Sequence, residues 1–203
     1  MAGRIREFGL GLPEGWYEVP SGDVAPAWAA DVAERALAGR AAPDGAVAAL
    51  AAALLDVKDA VDATDLEFAH TAALVETTGL PVVQAMLTVV VGRQVSEPEY
   101  LEQLDHVAEG VEGASVVGRQ PIEAHVPAGA VRGAHVLVGH LREDEDEVGI
   151  QLEERVHLAV FPEGSPDLVD VTGIAASVGV FADFPTFVVG LLEALEVTTG
   201  AGS

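Results

Sequence analysis

The chain has 203 residues, 50% of them hydrophobic, with 33 acidic against 10 basic side chains and a formal net charge of −23. A surface this acidic repels phosphate backbones and anionic headgroups, which argues against a nucleic-acid or membrane-surface role. With no cysteine in the chain, disulfides, thiolate nucleophiles and Cys-ligated metals are excluded. The most apolar run, residues 46–55, is far short of the ~20 residues that span a bilayer. No signal-peptide core follows Met1-Ala2-Gly3-Arg4, so the expectation is a cytoplasmic protein without membrane insertion.

The pattern predicts a single α+β domain over residues 1–197 and a disordered tail over 198–203. Residues 5–12 and 16–19 read as short strands around the turn Pro13-Glu14-Gly15. A helix over 23–38 carries Trp28, Val32 and Ala36 on one face, with Gly39 at the C-cap position. A second helix over 45–63 has the stripe Leu50, Leu54, Val57 and Val61. Strands are expected at 66–76 and 82–91, the second so apolar that it suits a sheet centre. Ser96 and Glu99 form a capping box that opens a helix with the stripe Tyr100, Leu104, Val107 and Val111.

A long antiparallel meander follows. Residues 114–117 and 122–126 are extended, with Pro121 marking a bend or an edge. Pro127-Ala128-Gly129 turns into 131–141, the acidic run 142–147 turns again, and 148–161 alternates cleanly. Its apolar face holds Ile150, Leu152, Val156, Leu158 and Val160, interrupted by Glu154, while Gln151, Glu153, Arg155 and His157 take the other face. A strand at 168–172 and a helix over 183–197, capped by Asp183 with the stripe Phe184, Phe187, Val188, Leu191, Leu192 and Leu195, complete the chain.

Few residues invite chemistry. His125, His135 and His157 in the meander would ligate zinc if one sheet face gathered them, but no HxH or HExxH spacing is present. The five consecutive acids Glu143, Asp144, Glu145, Asp146 and Glu147 lack the alternation and the glycine of a calcium loop. They read as a solvated hairpin tip, or as a docking tip for a basic partner. Gly164-Ser165-Pro166 lacks the second glycine of a nucleophile elbow, Gly9-Leu10-Gly11 precedes no helix, and Lys58, the one lysine, lies mid-helix rather than in a phosphate loop. No catalytic, cofactor or metal residue is assigned.

The order of elements, with Leu12-Pro13-Glu14-Gly15-Trp16 near the start, 156–161 followed by Pro162-Glu163-Gly164, then 168–172 and a closing helix, resembles the α/β/α sandwich of the PsbP-like superfamily, which includes Mog and DcrB-like proteins. The Arg-over-Lys bias and the wealth of Ala, Val and Gly resemble proteins of actinobacterial type. The resemblance implies an antiparallel sheet flanked by helices, and a non-enzymatic binding, adaptor or chaperone-like module acting through protein–protein contacts. It supplies no site residues and no cofactor. Two alternatives stand beside it: a structural subunit of a homo-oligomer, and a metal-dependent enzyme built on the meander histidines.

Overall fold

A computed structural model of the chain describes residues 3–22, 25–64, 69–77, 81–104, 114–144 and 147–201. The fold is α+β and mostly antiparallel, with helices packed on sheet. It divides into two compact units, Leu12–Thr88 and Met1–Gly11 with Val89–Ser203.

In the smaller unit, β2 (Trp16–Val19) pairs antiparallel with β3 (His70–Glu76), and β3 neighbours β4 (Val82–Gly92), of which residues 82–88 belong here. Helices α1 (Ala25–Leu37) and α2 (Ala46–Asp62) place Ala29, Val32, Ala36, Leu50 and Leu54 in a core with Val19, Ala73 and Val75. Of the expected stripes, Val32, Ala36, Leu50 and Leu54 are buried and Trp28, Val57 and Val61 are half-buried against them, and the small alanines let the elements approach closely. Gly45 starts α2 with φ of 79°, a left-handed conformation that glycine adopts without steric cost. Residues 66–68 of the expected third strand lie outside the described residues.

The larger unit holds the meander. β5 (Ala114–Val126), β6 (Gly129–Asp144), β7 (Glu147–Phe161) and β8 (Leu168–Ala175) pair antiparallel in the order β8-β7-β6-β5, with residues 89–92 of β4 beside β8. β5 is one strand rather than two, irregular between Val116 and Gly118, and it ends the sheet order. Pro121 therefore sits in an edge strand, where its missing N–H is tolerated. The pairing Ala134↔His157 and Val131↔Val160 puts even-numbered β6 residues on one face with odd-numbered β7 residues.

The two faces receive different helices. On one, α3 (Glu97–Leu104) buries Tyr100 and Leu104 against Ala134, Val136, Val138 and Ala159. Its start is held as the capping box predicts on the glutamate side, the Ser96 amide donating to Glu99 at 2.8 Å, but the Ser96 hydroxyl donates to the same carboxylate at 2.6 Å. The stripe positions Val107 and Val111 lie outside the described residues. On the opposite face, α4 (Phe184–Leu192) lays Phe184 and Val188 over Gly173, where an added Cβ would stand 2.8 Å from the Phe184 ring. Asp183 caps α4 by accepting from the Thr186 amide at 2.9 Å.

Three expectations are corrected. The first two strands do not form a hairpin: β1 (Gly3–Gly9) pairs with the chain's end, β9 (Glu196–Ala201), while β2 pairs with β3. Residues 198–201, expected to fray, are strand residues of that ribbon. The last helix stops at Leu192 instead of 197, although Leu195 is still buried.

Candidate functional site

The histidines are the first test of chemistry. His125 pairs with Ala130 and His157 with Ala134, so both lie on the α3 face, while His135 lies on the α4 face. The three do not converge. His125 and His157 are two strands and four residues apart, about 16 Å at ~4.8 Å per strand and ~3.3 Å per residue, whereas zinc ligands sit about 2 Å from the ion. His140, which sequence reasoning passed over, is also on the α3 face and lies 3.4 Å from Glu153. Among the described residues no group of three His, Asp or Glu is placed to hold a metal ion.

The α3 face instead carries a half-buried polar network. Tyr100 donates to Asp170 at 3.2 Å, His157 Nδ1 lies 3.2 Å from the Thr172 hydroxyl, and Arg155 is paired with Glu153. Burial pushes the Asp170 carboxyl up to about 6, against the opposing hydrogen bonds from Tyr100 and the Val171 amide. Burial, together with the positive charges of Arg155 and Arg119, holds His157 down at about 4, so the ring is neutral at pH 7. Its Nε2 is buried without a protein hydrogen-bond partner. The arrangement reads as a polar wall under α3, in which His157 meets the Thr172 hydroxyl through Nδ1 and leaves Nε2 without a protein partner.

The smaller unit has a cleft of about 450 Å³ at the end of α2, lined among others by Glu18, Ser21, Asp62, Thr64, His70 and Thr71. Its polar groups hold each other: His70 lies 3.3 Å from Glu18, and Asp62 pairs with the fully buried Lys58.

The α4 face shows a gradient. At the α4 end Val131, Val156, Leu158, Val160, Val169 and Val171 are completely buried. His135 and Glu154 come next, 2.8 Å apart but too oblique for a hydrogen bond. Beyond them the same apolar alternation runs into solvent, with Leu152 38%, Leu141 53%, Val117 53% and Ile150 68% exposed. These four are neighbours. Leu141 pairs with Ile150 and Gly139 with Leu152, and a Cβ at Gly139 would lie 3.1 Å from Val117 Cγ1 and 3.2 Å from Ile150 Cγ2. The two branched side chains close over Gly139, which is buried and has little room for a side chain of its own. Exposed apolar side chains clustered in this way mark contact surfaces more often than isolated ones do.

The backbone register pairs Glu143 with Val148 and Asp144 with Glu147, while Glu145 and Asp146 lie outside the described residues. The expected turn is thus partly strand, and the five acids follow Leu141 and precede Ile150 in the chain. Sequence reasoning found the acids but not the apolar patch. Its signal was present in the alternation of 148–161, which names one apolar face without saying where its cover ends.

No protein-family model and no curated protein matches this chain. Among the described residues no helix is long and apolar enough to cross a membrane.

Proposed function

We propose that the chain is a non-enzymatic binding, adaptor or chaperone-like module of the cytoplasm, of the PsbP-like kind, acting through protein–protein contacts at the outer end of the meander. One observation carries the reading. The α4 face of β6 and β7 keeps its apolar alternation well past the helix that covers it, ending in the cluster Val117, Leu141, Ile150 and Leu152. Covering one such exposed aliphatic side chain gains about 1–2 kcal/mol, so a partner that seats all four has a substantial anchor. The net charge of −23, with Glu143, Asp144, Glu145, Asp146 and Glu147 between Leu141 and Ile150 in the sequence, biases the partner toward positive charge. The same charge argues against nucleic acid as the partner.

Site-specific photo-crosslinking in cells of the source organism tests this. A photoreactive residue at Ile150 should yield one dominant adduct of defined mass. The same residue at Val47, also solvent-facing on α2 at 40% exposure, should not. Identical adducts at both positions, or none at Ile150, would remove the docking surface.

A further inference from the structure

We propose that the cleft at the end of α2 is a binding site for a small organic cation, a primary ammonium on a short aliphatic body. The site lies in the smaller unit and owes nothing to the apolar surface of the meander.

The cleft of about 450 Å³ falls within the roughly 300–1,000 Å³ of small-molecule sites. Its wall is mixed. Val19, Pro20 and Val61 offer apolar surface to an aliphatic body, and two different elements supply carboxylates, Glu18 from β2 and Asp62 from α2.

Charge sets the sign of the ligand. Among the described residues no arginine lines the cleft, and the one lysine of the chain, Lys58, is fully buried and paired with Asp62. Asp62 is the last residue of α2, whose final turn holds no basic side chain. The C-terminal end of a helix carries partial negative charge of its own and favours a cation nearby. Lys58 balances one of the two carboxylates, so a single ammonium neutralises the cleft.

The open carboxylate oxygens select the head group. Glu18 spends Oε1 on His70, at 3.3 Å, and Asp62 spends Oδ2 on Lys58. Glu18 Oε2 and Asp62 Oδ1 have no hydrogen-bond partner among the described residues, on side chains that are 67% and 53% exposed. A guanidinium fork is matched by both oxygens of one carboxylate, and neither carboxylate has both to give. An ammonium carries three donors on a rotatable head and takes single oxygens one at a time. A bare metal ion finds too few ligands, because among the described residues no group of three His, Asp or Glu is placed to hold one.

Trp28 supplies a reporter, since its indole N–H donates to the Glu18 carbonyl at 3.0 Å. The test is a nuclear magnetic resonance titration of the full, nitrogen-labelled chain with hexylammonium, hexanol, hexylguanidinium and magnesium in turn, at fixed ionic strength. Hexylammonium should move the Trp28 indole signal and the amide signals of Glu18, Thr64 and His70 along one saturable curve with a Kd of about 1 mM. Hexanol, the same body without the charge, should bind about tenfold or more weaker. Glu18→Gln, on an exposed side chain, should weaken hexylammonium about tenfold. Asp56→Asn, the same loss of charge on α2 outside the cleft, should leave it unchanged. The comparison of the four ligands on the parent chain needs no substitution to fold.

Equal weakening by Glu18→Gln and Asp56→Asn, or shifts that grow without saturating, is general attraction to an acidic chain and overturns the proposal. Hexanol binding as tightly as hexylammonium makes the cleft a neutral pocket and overturns it too. Tighter binding of hexylguanidinium assigns the site to another head group, and magnesium moving the same signals at lower concentration assigns it to a hydrated metal ion; either result overturns the ammonium. Silence at these signals with all four ligands removes the site.

Discussion

Replacing Asp167 with alanine should cost about 3 kcal/mol of folding free energy. The residue is 1% exposed and stands just after the turn between β7 and β8. Its Oδ2 accepts from the Ile5 amide at 3.1 Å and from Arg93 at 2.7 Å, and its Oδ1 accepts from the Gln94 amide at 3.3 Å. Arg93 also donates to the Ile5 carbonyl at 2.8 Å. The carboxylate therefore ties β1 and the segment after β4 to the head of β8. Each buried amide left without an acceptor costs about 1–3 kcal/mol. The Arg93 side chain is 48% exposed, so water takes over much of its lost interaction and it adds little. The buried Ile5 amide at mid-range gives about 2 kcal/mol, and the Gln94 amide, part-buried on an exposed residue and with a long bond, gives about 1 more. Asp167→Asn keeps one acceptor oxygen but turns an N–H₂ toward a donor, and should cost about half as much. The pH dependence follows from the same contacts. Burial alone would raise this carboxyl, but the hydrogen bonds from Arg93 and the Ile5 and Gln94 amides hold it below its ordinary 3.8. The stabilisation is therefore fully present above the unfolded value and is lost as pH falls through the depressed folded value. Urea unfolding followed by far-ultraviolet circular dichroism is the assay, because both tryptophans, Trp16 and Trp28, belong to the other unit. The gap between parent and Asp167→Ala should be constant from pH 8 to about 5 and narrow below about pH 4. A cost under about 0.5 kcal/mol at pH 7, the level of an ordinary surface change, would refute the clasp.

Two further substitutions probe the faces of the meander. Leu191→Ala on the buried side of α4 should lose about 2–5 kcal/mol by the same unfolding assay, and a change near zero would mean that α4 is not seated on the sheet. Asp170→Asn should stabilise the protein above pH 6 by about 1–3 kcal/mol, because burial raises the native carboxyl to about 6. Asn still accepts from Tyr100. The sign follows from linkage: the folded state binds the extra proton between about pH 4 and 6, so the parent loses stability as pH rises through that window. The gain should vanish near pH 4, and a gain independent of pH would sink the assignment.

Much of this fold is legible in the chain because its signals are local. Alternation over 148–161 yields β7 with both faces correctly sorted, Asp183 caps α4, and the stripes of α1 and α2 are the ones that pack on the core. What was missed depends on partners distant in sequence. Glu196–Ala201 has little apolar content, and it becomes a strand only because Gly3–Gly9 lies alongside it. Leu195 continues the i, i+4 spacing of α4 and is buried, yet the backbone leaves the helix at Leu192, so side-chain period alone misplaces the end. The histidines show the same limit. His135 and His157 share a parity, but the pairing Ala134↔His157 sets odd residues of β7 beside even ones of β6, and no single-strand pattern contains that register. The apolar end of the α4 face was hidden for a similar reason. Alternation says which side chains share a face, but not how far along that face a helix reaches.

The charge and the exposed patch belong to one physical problem. Val117, Leu141, Ile150 and Leu152 on an unpaired sheet face invite association between copies. Strand β5 ends the sheet order among the described residues, with one N–H removed by Pro121. A net charge of −23, with five acids between Leu141 and Ile150 in the sequence, opposes that association over a screening length of about 8 Å at physiological ionic strength. Acidity of this kind is selective rather than merely solubilising, because it repels a second copy and leaves a basic partner free to approach. The two properties should therefore separate in the laboratory. Replacing Glu143, Asp144, Glu145, Asp146 and Glu147 with Ser and Asn should leave the folding free energy the same or slightly higher, since a hairpin tip gains from lost self-repulsion. It should also let light scattering detect self-association that the parent lacks, with Ile150→Ser in the same background returning the protein to monomer. Neutralised protein that stays monomeric at high concentration would show that the acids do not guard the patch, and their role would then be confined to the solvated turn.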